Sequence, residues 1–120
     1  MPGTPTGHRM IAEIATASVS GRLTGSLTGA SSANWLTRTP GGLGLPDVRI
    51  AIRTSDDAVV LMHYAGRVRL VPGKTSVALI APVFETGDPR YSWINEIQAV
   101  GKGVLSADRT TLDYEIYELQ

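Results

Sequence analysis

The chain has 120 residues, enough for one domain with its own core, and its eleven Lys plus Arg cancel eleven Asp plus Glu. Zero net charge offers no broad field to phosphate backbones or anionic lipid heads, which argues against nucleic acid and membrane surfaces as partners. No cysteine is present, so disulfides and thiol chemistry are excluded, and a reducing, cytoplasmic setting is expected.

The first stretch, MPGTPTGHRM, lacks the charged-then-apolar order of a signal peptide, and no apolar run is long enough to cross a bilayer. Residues 1–7 are expected to be flexible, ahead of a single domain spanning 1–120. In HRMIAEIATASV, Met10, Ile11, Ile14, Ala15 and Val19 fall at near-helical spacing, which leaves helix open over 8–19. The glycines that follow, Gly21, Gly25 and Gly29, favour twisted strand, so 8–29 is read as two strands. Further on, PDVRIAIRT alternates Val48, Ile50 and Ile52 with Asp47, Arg49, Ala51 and Arg53, the period of a two-faced strand. Comparable runs follow at AVVLMHYAG, KTSVALIAPVFET, YSWINEIQAV and TTLDYEIYEL, separated by the turn signals SDD, VPGK, TGDP and SAD. Short, evenly spaced runs of this kind predict an all-β antiparallel barrel or sandwich.

Two glycine features imitate nucleotide loops. The segment Gly73-Lys74-Thr75 lacks the earlier glycine of a phosphate loop, because Val68 stands there; Gly41, Gly42 and Gly44 precede a strand rather than open a helix. The histidines, His8 and His63, form no ligand pair, so neither a metal nor another cofactor is expected.

The order Asn34-Trp35, DVRIAIRTSDDA, a strand ending at Gly66, PVFETGDPRYSWIN and AVGKG resembles the family catalogued as domain of unknown function 3237, also called uncharacterised protein family 0311. The likeness covers residues from about 20 to 120, and the segment from Phe84 to Asn95 is its most specific part. It implies a small antiparallel β-barrel of the calycin-like (lipocalin-like) kind, dimeric, with no defined activity. This chain departs from the pattern at Asn34, where the family often has an acid, and in Ser55-Asp56-Asp57-Ala58, where a glycine is missing and aspartate must take the positive-φ position. The chain is also shorter than the family pattern at its start. A barrel lacking a strand leaves an open edge, so a homo-oligomer is expected.

Read as a strand, YSWINE places Tyr91, Trp93 and Asn95 on one face, and Asp47 and Arg49 share a face of theirs. If those faces turn inward, Trp35, Asp47, Arg49, Glu85, Tyr91, Trp93 and Asn95 converge on a barrel lumen, a mixed aromatic and charged pocket for one small molecule. Two plainer readings stand beside this one: an internal Asp47–Arg49 ion pair, and tryptophans that only fill the core. In the pocket reading Glu85 or Asp47, partly desolvated, moves a proton while Arg49, Tyr91 and Asn95 hold a developing oxyanion; Trp35, Trp93 and His63 contact the ligand. His63, inside VVLMHYAG, reads first as a satisfied strand histidine. The expected function is a cofactor-independent lyase, isomerase or cyclase acting on a small, partly apolar metabolite. The alternatives are a non-catalytic small-molecule binder and a structural or assembly module.

Overall fold

In the computed structural model, which describes residues 1–120, eleven strands and one 3-10 helix follow in order. They are β1 (His8–Glu13), β2 (Ser18–Val19), β3 (Gly25–Leu27), β4 (Ala33–Arg38), β5 (Leu43–Leu45), β6 (Asp47–Thr54), β7 (Val59–Arg69), β8 (Ser76–Ile80), β9 (Val83–Glu85), the helix Pro89–Asn95, β10 (Ala99–Leu105) and β11 (Leu112–Glu118). The all-β antiparallel expectation holds, and residues 8–29 are strand rather than helix, in three short pieces where two were expected.

The eleven strands lie on seven successive ribbons. Strands β1 and β2 run along β4 and β3, which share one edge of β6, with β4 continuing onto β5. Both β5 and β6 pair with one edge of β7; its other edge carries β8 and then β9, and β10 and β11 follow outward from β8. Pro46 parts β5 from β6, and Pro82 lies in the gap between β8 and β9. Proline has no N–H to give a ladder, so each marks where a long ribbon bends. Asp57 takes φ 71° in the β6–β7 turn, the aspartate solution expected where the glycine is missing.

The sheet rolls on itself. Tyr64 of β7 and Tyr114 of β11 have two ribbons, β8 and β10, between their strands, yet their rings meet edge to face, centroids 5.5 Å apart. Gly103 makes this possible, since a Cβ there would stand 2.4 Å from the Tyr114 ring. Val19 and Leu23, near the other end of the sheet, pack on the same core. No backbone ladder joins the first ribbon to the last. Arg22 spans that gap, 2.9 Å from Glu118 and 3.8 Å from the centre of the Trp93 ring.

Alternation decides what the rolled sheet encloses. Val48, Ile52, Val60, Met62, Tyr64 and Ile80 point inward and are buried. Asp47, Arg49, Trp35 and Glu85 point outward and are exposed. The lumen expected to hold the charged groups and tryptophans is filled instead by apolar side chains, mostly aliphatic, with Tyr64, Tyr114 and Phe84 among them. Burying an unpaired charge costs at least several kcal/mol, whereas burying a large aliphatic side chain contributes about 1.5–3 kcal/mol, so both favour the apolar face taking the interior.

A second correction concerns Tyr91, Trp93 and Asn95, which do not share a strand face. Pro89–Asn95 is a 3-10 helix kinked at Tyr91 (φ −119°, ψ 18°), with Asp88 as its N-cap accepting from the Arg90 N–H at 2.9 Å. Proline at the first helical position suits that start because its missing N–H needs no partner there.

Candidate functional site on the outer face

The outward residues of β4, β6, β7 and β9 border two open hollows, of about 420 and 190 Å³, which share Ser31 and Arg49. Strand pairing fixes their arrangement: Arg49 stands between Ala33 and His63, His63 between Arg49 and Val83, and Leu61 between Ala51 and Glu85. Trp35 and Asp47 line the smaller hollow, while Leu61, Val83 and Glu85 line the larger.

Asp47 and His63 lie diagonally across the β6–β7 pair, within reach for long side chains. His63 Nε2 is 3.1 Å from Asp47 Oδ1. An ionised carboxylate only accepts, so in this bond Nε2 is the donor, and the tautomer that fits it leaves Nδ1 as the acceptor nitrogen of a neutral ring. Asn34 supports the acid's backbone, its Oδ1 accepting from the Asp47 N–H at 3.3 Å. Arg49, beside this pair, takes part in no ion pair and makes no side-chain hydrogen bond. Trp35 is 52% exposed, unusual for an indole with nothing over it.

Five of the residues expected in a lumen site, Trp35, Asp47, Arg49, His63 and Glu85, are thus brought together, but outside the barrel. Glu85 is exposed at the rim of the larger hollow, opposite Leu61 on the neighbouring strand. Tyr91, Trp93 and Asn95 line neither hollow. Tyr91 donates to Asp56 at 2.9 Å, Trp93 stacks under Arg22, and Asn95 clamps Thr86 through its N–H and carbonyl. The hydroxyl of Thr54 and then that of Tyr91 hold the Asp56 carboxyl below its usual range, and this bond in turn raises the Tyr91 phenol. The role of these three is to tie the segment after β9 to the β6–β7 turn and the β2–β3 loop. Sequence reading missed Ser31, Leu61 and Val83. Period two in β7 and β9 already placed Leu61 and Val83 on one side with His63 and Glu85, whereas nothing in the sequence singled out Ser31.

Three solved structures share this architecture. A β-barrel-like protein from Acinetobacter baumannii AYE is 26% identical with a TM-score of 0.83, over 98% of this chain and 82% of that one. A conserved protein of unknown function from Rhodopseudomonas palustris is 26% identical with a TM-score of 0.82, over 99% and 86%. A protein of unknown function from Clostridium acetobutylicum ATCC 824, 20% identical with a TM-score of 0.85 over 100% and 87%, shows the fold alone. No curated protein matches the sequence. No helix is long and apolar enough to cross a membrane. The model of a family of proteins of unknown function, DUF3237, matches residues 1–119, and the chain belongs to that family.

Proposed function

We propose that the outer groove binds a small, partly apolar organic anion and that the His63–Asp47 pair moves a proton on it, as a cofactor-independent lyase, isomerase or cyclase does. The observation that carries this reading is the 3.1 Å His63–Asp47 bond beside an Arg49 with no protein partner. A guanidinium offers two parallel N–H groups to a carboxylate. Trp35 supplies an aromatic wall, and Leu61 and Val83 an apolar floor for the remainder of the molecule. With Asp47 orienting the ring, His63 Nδ1 takes a proton from a carbon next to the anion. Arg49 holds the electron pair as it moves onto oxygen, and the imidazolium then returns the proton to a second atom. Within this reading the base passes from Glu85 or Asp47 to His63, and Asp47 becomes its positioning partner. The setting we propose is the cytoplasm, supported by the lack of cysteine.

The test is an NMR titration of the labelled protein with a panel of carboxylates from butyrate to naphthoate, followed by deuterium uptake from solvent into the tightest binder. Shifts confined to residues 31–35, 47–51, 61–63 and 83–85, with an affinity about tenfold weaker in Arg49→Ala, are expected for one charge-assisted contact. Deuterium uptake lost in His63→Gln with binding retained would establish the chemistry. Binding without uptake in the wild type leaves a binding protein and removes the enzyme; shifts elsewhere, or none, remove both.

A further inference from the structure

Away from the groove, the outer face of β7, β8, β10 and β11 carries an ordered charge pattern that neither the core nor the proposed site uses. Strand pairing sets Arg67 beside Leu79, Leu79 beside Lys102, and Lys102 beside Glu115 in one row. One step further, Val77 stands beside Val104 and Val104 beside Asp113, and Arg69 lies on β7 one residue past the last β7–β8 pair, Val68–Ala78, completing a second row. Each row runs from a cation on β7 to an acid on β11; the centre on β8 and β10 is Val77 and Val104 in the second row, and Leu79 beside the Lys102 stem in the first. Leu79, Val77 and Val104 are 55%, 49% and 47% exposed. Arg67, Arg69, Lys102, Asp113 and Glu115 belong to no ion pair.

We infer that this face is where a second copy of the chain docks, as a face-to-face dimer about a two-fold axis that runs parallel to the strands between β8 and β10. Such an axis lays β7 of each copy over β11 of the other. Arg67 then meets Glu115 of the second copy and Arg69 meets its Asp113, while Val77 lies on Val104 and the Lys102 stem covers Leu79. An axis across the strands would instead set β7 over β7 and arginine over arginine, which like-charge repulsion disfavours.

The exposed area points the same way. A monomer of this mass exposes about 6,300 Å², whereas this chain exposes 7612 Å² with only 20 of its 120 residues buried. The excess, about 1,300 Å², exceeds the ~800 Å² per partner that a standard interface covers. The open edge of β11 does not provide the contact by self-pairing, since antiparallel pairing of LDYEIYE with itself sets acid against acid.

Sedimentation equilibrium over micromolar concentrations tests the inference. The wild type is expected at about twice 12.8 kDa and Leu79→Glu as a monomer with unchanged circular dichroism, because Leu79 contributes nothing to the core. Arg67→Glu and Glu115→Arg should each weaken the dimer about tenfold or more, and the double swap should restore it. A wild type that stays monomeric, a dimer indifferent to Leu79→Glu, or a double swap no better than either single variant would overturn the proposed face.

Discussion

The two sides of β6 and β7 make an instructive pair. Seen from inside, Val48, Ile52, Val60, Met62 and Tyr64 form a continuous buried layer; from outside, one residue away along each strand, Asp47, Arg49, Leu61 and His63 border the groove. Both faces come from the same alternation, so period two alone states that the faces differ without stating which is enclosed. The desolvation of charge settles it: a lumen lined by Asp47, Arg49 and Glu85 would need partners for every charge, and an aliphatic lumen needs none. The inner side holds the fold, and the outer side is left exposed.

Substitutions on the two sides should therefore separate stability from binding. The largest effect is expected at the inner face, where Ile52→Ala removes a side chain only 2% exposed and should cost about 3 kcal/mol in urea unfolding. Next comes Gly66→Ala on β7. Its Cβ would stand 2.0 Å from the Leu79 carbonyl oxygen, and the backbone shift that relieves it should cost about 2 kcal/mol. Arg22→Ala breaks an ion pair to the half-buried Glu118 and a cation–π contact to the half-buried Trp93, both made by an exposed guanidinium, and should cost about 1 kcal/mol or less. It should also speed amide exchange in β11 more than in β7, because Arg22 spans the unpaired gap. At the outer face, Arg49→Ala should change stability by no more than about 0.5 kcal/mol while weakening carboxylate binding. A comparable loss of stability at Ile52 and Arg49 would erase the contrast between the faces.

Acid sharpens the comparison further, because three carboxylates with displaced titration, Asp56, Asp88 and Asp108, lie in turns. Arg90 holds Asp88 down to about 2, and the hydroxyls of Ser106 and Thr110 hold Asp108 down to about 2. A carboxyl lowered by folding stabilises the native state fully above its unfolded value of about 3.9, and that contribution disappears as pH falls through the folded value. The urea midpoint should hold steady down to pH about 4.5 and decline between about 4 and about 2, with Asp88→Asn flattening part of the decline. An unchanged profile in Asp88→Asn would show that the Arg90 contact adds nothing to the fold.

Much of this was legible in the residues. Alternation in PDVRIAIRT and the turn signals between runs located β6, β7, β8, β9 and β11, while the run YSWINEIQAV reached only the first two residues of β10; the family likeness pointed to a barrel-like sheet. The five groups of the groove were recognised by residue type, yet assigned to the wrong side of the sheet. Facing depends on how seven ribbons roll together, a tertiary fact that no single strand records. The 3-10 helix was missed for a local reason. Asp88-Pro89 was read as a turn, although an N-cap acid followed by proline also opens a helix, and the alternation of YSWIN imitated a strand. The splitting of a ribbon at Pro82 was readable from proline's missing donor but went unread because it lay inside the run KTSVALIAPVFET, and β5 was missed because the glycines before Pro46 read as a loop.

The most direct test uses Trp35 itself. In a Trp93→Phe background Trp35 is the sole tryptophan, and it stands in the smaller hollow with Asp47 and Arg49. Its fluorescence can be followed during titration with phenylacetate. The account predicts emission typical of a water-exposed indole, ready quenching by acrylamide, protection from that quencher as phenylacetate binds, and loss of the protection in Arg49→Ala. Emission of a buried indole that acrylamide cannot reach, or quenching untouched by phenylacetate, would contradict an outward-facing site.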